Sequence, residues 1–273
     1  MTEVLSDPRS ERVRTVSRLS GRSARRRAGL FLAEGPQAIR EALPAGAVKD
    51  LYVTSQALAR HADIAAAAGA AGVSPRLCTE AVLTAMADTV APQGLLAVCV
   101  LVDRPLQVVA AARPRLVAVL AHVRDPGNAG TVLRAADAAG ADAVLFTQAS
   151  VDPHNPKCVR STAGSIFHLD VVTGPTLDEA VAALKGAGLT VLAADGAGEE
   201  DLDDLADQAR EGRGPLAGPV AWVFGNEAWG LPEQHRALAD AVVRVPVHGR
   251  AESLNLATAA TVCLYAAARA HRR

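Results

Sequence analysis

A chain of 273 residues has room for roughly two domains of ordinary size. Half of it is hydrophobic, 21% is charged and only 3% is aromatic, which excludes a disordered polypeptide and describes a globular chain built on small aliphatic side chains. Twenty-eight Lys and Arg against 29 Asp and Glu leave a formal net charge of -1, so total charge selects neither nucleic acid nor an anionic membrane as partner.

Cys78, Cys99, Cys158 and Cys263 are too scattered for a metal-binding pair or a disulfide-rich scaffold. No metal is therefore expected, and a reducing, cytoplasmic compartment is. The apolar stretch 108–121 is broken by Arg113, Pro114 and Arg115 and falls short of the ~18 residues of a membrane span. The N-terminus lacks the apolar core of a secretory signal.

In chain order, residues 1–30 read as a basic arm. Eight arginines, among them Arg25, Arg26 and Arg27, face only Glu3, Asp7 and Glu11. Such a segment suits a solvated helix or an electrostatic footprint for RNA. Residues 31–104 alternate helix 34–43, strand 48–53, helix 56–71, strand 73–77, helix 79–87 and strand 93–102, the pattern of a small α/β domain. A linker is expected at 103–115, with Pro105 and Pro114.

Residues 115–273 alternate more cleanly. Apolar runs at 116–121, 142–146, 169–172, 189–194, 220–225 and 241–246 are separated by helical patterns. Continuous apolar strands between helices predict a parallel sheet covered on both faces. The acidic stretch 199–207 between the fourth and fifth strands reads as a surface loop with a helical turn.

Ligands collect at the carboxyl ends of parallel strands, which directs the search to three loops. The loop after 116–121 carries Asp125-Pro126-Gly127-Asn128, with Asn128 the expected N-cap of a helix that holds Arg134. After 220–225 comes Gly225-Asn226-Glu227-Ala228-Trp229-Gly230-Leu231, where two glycines around polar residues predict a tight turn that a flat ligand can approach. After 241–246 comes Glu252-Ser253-Leu254-Asn255, where Ser253 or Glu252 is expected to begin a long helix. A dinucleotide fingerprint and a Walker A lysine are both missing, which lowers the NAD and ATP readings.

Together the three loops resemble, in order and spacing, the three motifs of the SpoU (TrmH-like) RNA ribose 2′-O-methyltransferases. The resemblance spans about 116–270, and 31–102 resembles the small RNA-binding domain that often precedes that catalytic domain. It departs at Ala228, where glycine is common, and at Val247, where methionine is usual. The resemblance implies an α/β chain whose C-terminal parallel-sheet methyltransferase domain is a trefoil knot, with a smaller N-terminal α/β RNA-binding domain. It also implies a homodimer with the active site completed across the interface, S-adenosylmethionine as cofactor and RNA as substrate, ribosomal RNA favoured. By the family pattern Gly225, Asn226, Val245, Ser253 and Leu254 would hold the cofactor. Arg134, Asn128, Glu227, Ser253 and Asn255 would form the catalytic group, with Arg134 beside the target ribose. Lys157, Arg160 and Arg25 to Arg27 are the expected RNA contacts. A tRNA ribose methyltransferase, a catalytically silent RNA-binding assembly factor and, remotely, a nucleotide-dependent oxidoreductase remain as alternatives.

Overall fold

A computed structural model of the chain describes residues 4–272; residues 1–3 of the expected arm, Glu3 among them, and residue 273 lie outside the described residues. The chain divides into two compact units. One runs up to Val102 and includes Asp152–His168; the other comprises Asp103–Val151 and everything from Leu169 on.

The elements of the first half, in order, are α1 (Glu11–Ser17), α2 (Arg22–Ala28), β1 (Leu30–Glu34), α3 (Pro36–Ala42), β2 (Val48–Val53), α4 (Ser55–Arg60), α5 (Ala62–Ala70), β3 (Arg76–Leu77), α6 (Glu80–Met86) and β4 (Leu95–Val100). Those that follow are α7 (Leu106–Ala111), β5 (Leu116–Leu120), α8 (Pro126–Ala139), β6 (Ala143–Phe146), α9 (Pro156–Thr162), β7 (Asp170–Thr173), α10 (Leu177–Gly186), β8 (Thr190–Ala194), β9 (Glu200–Asp201) and α11 (Leu202–Arg210). The chain ends with β10 (Val220–Phe224), α12 (Glu233–Arg236), β11 (Ala241–Arg244) and α13 (Leu256–His271).

In the first unit a mixed sheet of order β1-β4-β2-β3 pairs β4 antiparallel with β1 and β2, while β2 and β3 run parallel. The expected arm is part of this unit's core: α1 buries Val13 and Val16 against Leu32, Tyr52, Val82 and Met86. The strand β1 occupies residues 30–33, which periodicity left outside any element, and takes Glu34 from the expected helix 34–43, because a four-residue apolar run suits a strand or a buried helix turn equally. The single alanine-rich helix expected over 56–71 is two helices parted at His61.

Arg25 corrects the expected RNA-binding set. Its side chain is 2% exposed, and it donates to Asp152 at 2.6 and 3.0 Å and to the carbonyls of Leu19 and Ser20. A guanidinium spent on these acceptors cannot reach a phosphate. Arg160 likewise bridges Glu34 (3.4 Å), whose side chain is buried, and Asp88 (3.0 Å), so it ties α9 to the first unit's own sheet. Arg26, Arg27 and Lys157 are exposed.

The second unit carries a seven-stranded, wholly parallel sheet of order β7-β6-β5-β10-β8-β11-β9. β5 and β10 are buried along their whole lengths, as the expected two-sided cover requires. Val117, Val119, Val191 and Val223 pack with Val181 and Leu184 of α10 on one face; α8 and α13 pack together on the other. The expected linker contains α7, whose Leu106 and Val109 join that core. The acidic stretch is structured rather than a loop. β9 pairs with β11, and Asp201 caps α11 and receives Arg244 at 3.1 Å. Among the described residues no helix is long and apolar enough to cross a membrane, and none of the four cysteines forms a disulfide.

Candidate active site

The strands β5, β10, β8 and β11 are neighbours in the sheet, so the loops leaving their carboxyl ends are brought to one edge. Each loop has a local reason for its shape. After β5 the backbone turns at His122, whose φ of 60° is the left-handed conformation that non-glycine residues seldom adopt. The turn is pinned by Asn226 Nδ2, which donates to the His122 carbonyl at 2.8 Å. The imidazole of His122 stands edge-on to that of His235, with ring centroids 5.2 Å apart. Burial, then the charges of His235 and Arg124, hold its pKa below the ordinary 6.5.

The N-cap of α8 is Asp125, not Asn128: Asp125 Oδ1 accepts the Asn128 N–H at 2.7 Å, and Pro126 fills the first helical position, where its missing N–H is harmless. Asn128 therefore lies within the first turn with its side-chain amide free for other work. Likewise α13 is capped by Asn255 rather than by Ser253 or Glu252, through Asn255 Oδ1 and the N–H groups of Ala257 (2.9 Å) and Thr258 (3.4 Å).

These two displaced caps join the three loops. Asn255 Nδ2 donates to Asn128 Oδ1 (3.2 Å), and Asn128 Nδ2 donates to Glu227 Oε1 (3.4 Å). Glu227 also accepts the backbone N–H groups of Asp125 (3.2 Å) and Arg124 (3.4 Å). The result is a directed relay of amides ending on a carboxylate, in which each donor polarises the next. Ser253 is exposed. Arg134 is exposed on α8 and is not joined to the relay; six residues after Asn128, it lies about 120° around the helix axis from it.

The expected tight turn after β10 is present. Asn226 and Gly230 pair through both backbone groups (3.0 and 2.9 Å), and Gly230 has φ +64°. Beside this turn opens a cleft of about 650 Å³ whose walls include Gly225, Asn226, Val245, Ser253 and Leu254, the five residues expected around the cofactor. Its size lies within the range of small-molecule sites, ~300–1,000 Å³. Asp195 and Gly196, which follow β8, complete the wall and were not singled out by the sequence analysis. Asp195 accepts the Leu231 N–H (3.1 Å) and the Arg236 guanidinium (3.4 Å), fixing the far side of the turn. The only signal for it was its place at the carboxyl end of an apolar run.

The cradle is built around a missing side chain. A Cβ on Gly225 would lie 2.5 Å from the carbonyl carbon and oxygen of Gly230 and 2.8 Å from Leu231 Cγ. Backbone cannot yield as a flexible side chain can, so Gly225→Ala is expected to destabilise the fold by about 1–3 kcal/mol. It should also weaken S-adenosylmethionine binding at least tenfold in calorimetry. Unchanged affinity with an unchanged melting temperature would show that the turn does not shape the cleft.

Comparison with known proteins agrees with this geometry. Residues 115–265 match the SpoU rRNA Methylase family, and residues 10–97 match the MRM3-like substrate binding domain. The chain is 31% identical over 265 residues to the 23S rRNA (guanosine(2553)-2′-O)-methyltransferase of Bacillus subtilis, covering 96% of this chain and 97% of that one. It superposes with a TM-score of 0.82 and 29% identity on an AdoMet-bound rRNA methyltransferase from Sinorhizobium meliloti, covering 98% and 97% of the two chains. The SpoU methyltransferase AviRb of Streptomyces viridochromogenes in complex with AdoMet is similar at TM-score 0.79 and 30% identity, covering 96% and 98%.

Proposed function

Since the chain belongs to the SpoU rRNA methylase family, we propose that it transfers a methyl group from S-adenosylmethionine to a ribose 2′-hydroxyl of 23S ribosomal RNA. The observation that carries this reading is the relay Asn255–Asn128–Glu227, which draws all three loops to the rim of one cleft. The ribosomal target rests on the relatives, whose names are those of 23S rRNA 2′-O-methyltransferases.

The cleft fits the cofactor. It has the volume, a glycine cradle that leaves backbone open to a flat purine, and apolar walls from Val245, Pro246 and Leu254. When bound, S-adenosylmethionine supplies an electrophilic methyl on a sulfonium. Gly225, Val245 and Leu254 would hold the adenosine part through backbone groups, with Asn226 and Ser253 beside them. Methyl transfer to the ribose would leave the cofactor as its neutral thioether, and on the RNA side the 2′-hydroxyl proton must be given up. The Arg134 guanidinium has donors only and no lone pair to accept it; it stabilises the negative charge developing on the 2′ oxygen, and solvent water or an RNA phosphate takes the proton. Glu227 and Asn128 orient the sugar.

A homodimer supplies the missing neighbour of the relay. Arg134 is exposed and apart from Asn128 in its own copy, and α13 exposes Val262 and Tyr265 at 41% and 49% beside α8. A second copy seated on these helices would bring its own Arg134 to the relay. The strand order, with β10 between β5 and β8 and β11 beyond β8, is compatible with C-terminal threading into a trefoil knot. The compartment is the cytoplasm, where the RNA resides. In the first unit Arg12, Arg18, Arg27, Lys49 and Arg76 line one side cleft and supply phosphate contacts.

The test is purified protein with labelled S-adenosylmethionine and either unmodified 23S rRNA transcript or bulk tRNA. Label should enter the 23S transcript and make one phosphodiester resistant to alkali, with RNA affinity falling steeply between 50 and 200 mM salt. Label in a base, or only in tRNA, would overturn the assignment.

A further inference from the structure

On the loop that carries Glu227 stands an indole with no structural need to be outside. Trp229 is 51% exposed, and Arg124 places its guanidinium over the ring, 5.2 Å from the centroid. The chain is poor in aromatic side chains, with four Phe, two Trp and two Tyr. Among the described residues the other Trp, Trp222, is fully buried, and Tyr265 is the only other aromatic left exposed. Tyr265 lies on α13 with its hydroxyl 3.5 Å from the Ala138 carbonyl. Leaving a large apolar ring in water forgoes its burial, so an exposed Trp in such a composition calls for a partner.

The cofactor cleft does not use it: Glu227, Ala228 and Gly230 line that cleft, and neither Trp229 nor Arg124 does. Both residues are nevertheless held to the reactive loops. The Arg124 N–H donates to Glu227 at 3.4 Å, while the Ala228 N–H donates to Asn226 Oδ1 and the Gly230 N–H to the Asn226 carbonyl, both at 2.9 Å, which fixes the backbone on either side of the indole. The pair is thus a flat π surface backed by a fixed cation, with Trp229 two residues from Glu227 in the chain and Arg124 bonded to Glu227 through its backbone N–H. An unpaired nucleobase is the chemistry it matches: a base stacks on an indole or a guanidinium plane, and the cation attracts the attached phosphate.

We propose that Trp229 and Arg124 form a stacking platform for an RNA base at or beside the methylated nucleotide, holding that nucleotide unstacked so that its ribose faces the relay. This rests on the methyltransferase reading for the identity of the ribose, but the platform itself is a binding surface and is tested as one. Full-length Trp229→Ala and Trp229→Phe proteins are titrated with unmodified 23S rRNA transcript while intrinsic fluorescence and S-adenosylmethionine affinity are followed. Trp229→Ala should weaken RNA binding about tenfold or more, the range of one lost base stack. Trp229→Phe should recover most of it, and cofactor affinity should hold within twofold. In the wild type the exposed indole should be quenched by RNA, and that quench should vanish in Trp229→Phe. RNA affinity within twofold of wild type and no indole response would overturn the platform. So would a Trp229→Ala defect confined to self-association in sedimentation, which would assign the ring to a protein interface. Trp229-dependent quenching without methyl transfer to the 23S transcript would sink the enzymatic reading while leaving the platform standing; transfer with normal RNA affinity in Trp229→Ala would do the reverse.

Discussion

Arg134→Ala is expected to lower kcat for methyl transfer by about 10²–10³-fold, the effect of removing one group aimed at developing charge. S-adenosylmethionine affinity should stay within twofold, because Arg134 lies outside the cleft. Arg134→Lys keeps a point charge but loses the planar fork, and a residual loss of about tenfold or more would show that geometry as well as charge is used. Subunit mixing gives the sharper result. Arg134 is a third of a turn around α8 from Asn128 and is joined to none of Asn128, Glu227 and Asn255, so in the proposed dimer it serves the neighbouring copy's relay. Inactive Arg134→Ala and Glu227→Ala proteins, unfolded together and refolded, should then regain activity, since a mixed dimer contains one intact site. No recovery in verified mixed dimers would place Arg134 and Glu227 in the same copy's site or remove Arg134 from the reaction.

Arg25→Ala should destabilise the first unit by about 3 kcal/mol, because it takes the guanidinium from a largely buried carboxylate that keeps His154 as a partner, rather than trimming a surface charge. Asp152 is 13% exposed. Burial pushes its pKa up, but hydrogen bonds from His154 and Arg25, reinforced by their charges, outweigh this and hold the carboxyl well below the ordinary 3.8. A depressed carboxyl pKa contributes stability above 3.8 that is lost as pH falls through the folded value. The gap between wild type and variant should therefore be full at pH 7 and pH 5 and narrow only in stronger acid. Thermal unfolding checks it, with a drop of about 10 °C expected at neutral pH. RNA affinity of the folded variant should match wild type. A stable variant with weakened RNA binding would return Arg25 to the contact set.

The parallel sheet was legible because its central strands are buried on both faces and read as uninterrupted apolar runs; 116–121 became Leu116–Leu120 and 220–225 became Val220–Phe224. The loops were legible because their polar residues follow those runs. The caps were not. Asp125 and Asn128 both suit an N-cap, as do Ser253 and Asn255, and nothing local in the sequence shows that Asn128 and Asn255 meet each other across 127 positions. Arg25, Arg26 and Arg27 look alike in sequence; only the helix phase and an aspartate 127 residues away select Arg25 for the interior. Asp195 and the Arg124–Trp229 contact belong to the same class, since each is made by folding between separate loops.

The excursion Asp152–His168 interrupts the second unit and completes the first: Phe31 of β1 packs its ring against His154 and Phe167, and Asp152 receives Arg25. On a ribosome, where domains ordinarily close in order of emergence, the leading unit must wait until residue 168 of 273 has left the exit tunnel. By then β5 and β6 of the trailing sheet are already outside. The two units thus mature on overlapping schedules, and no single scission of the polypeptide parts one cleanly from the other.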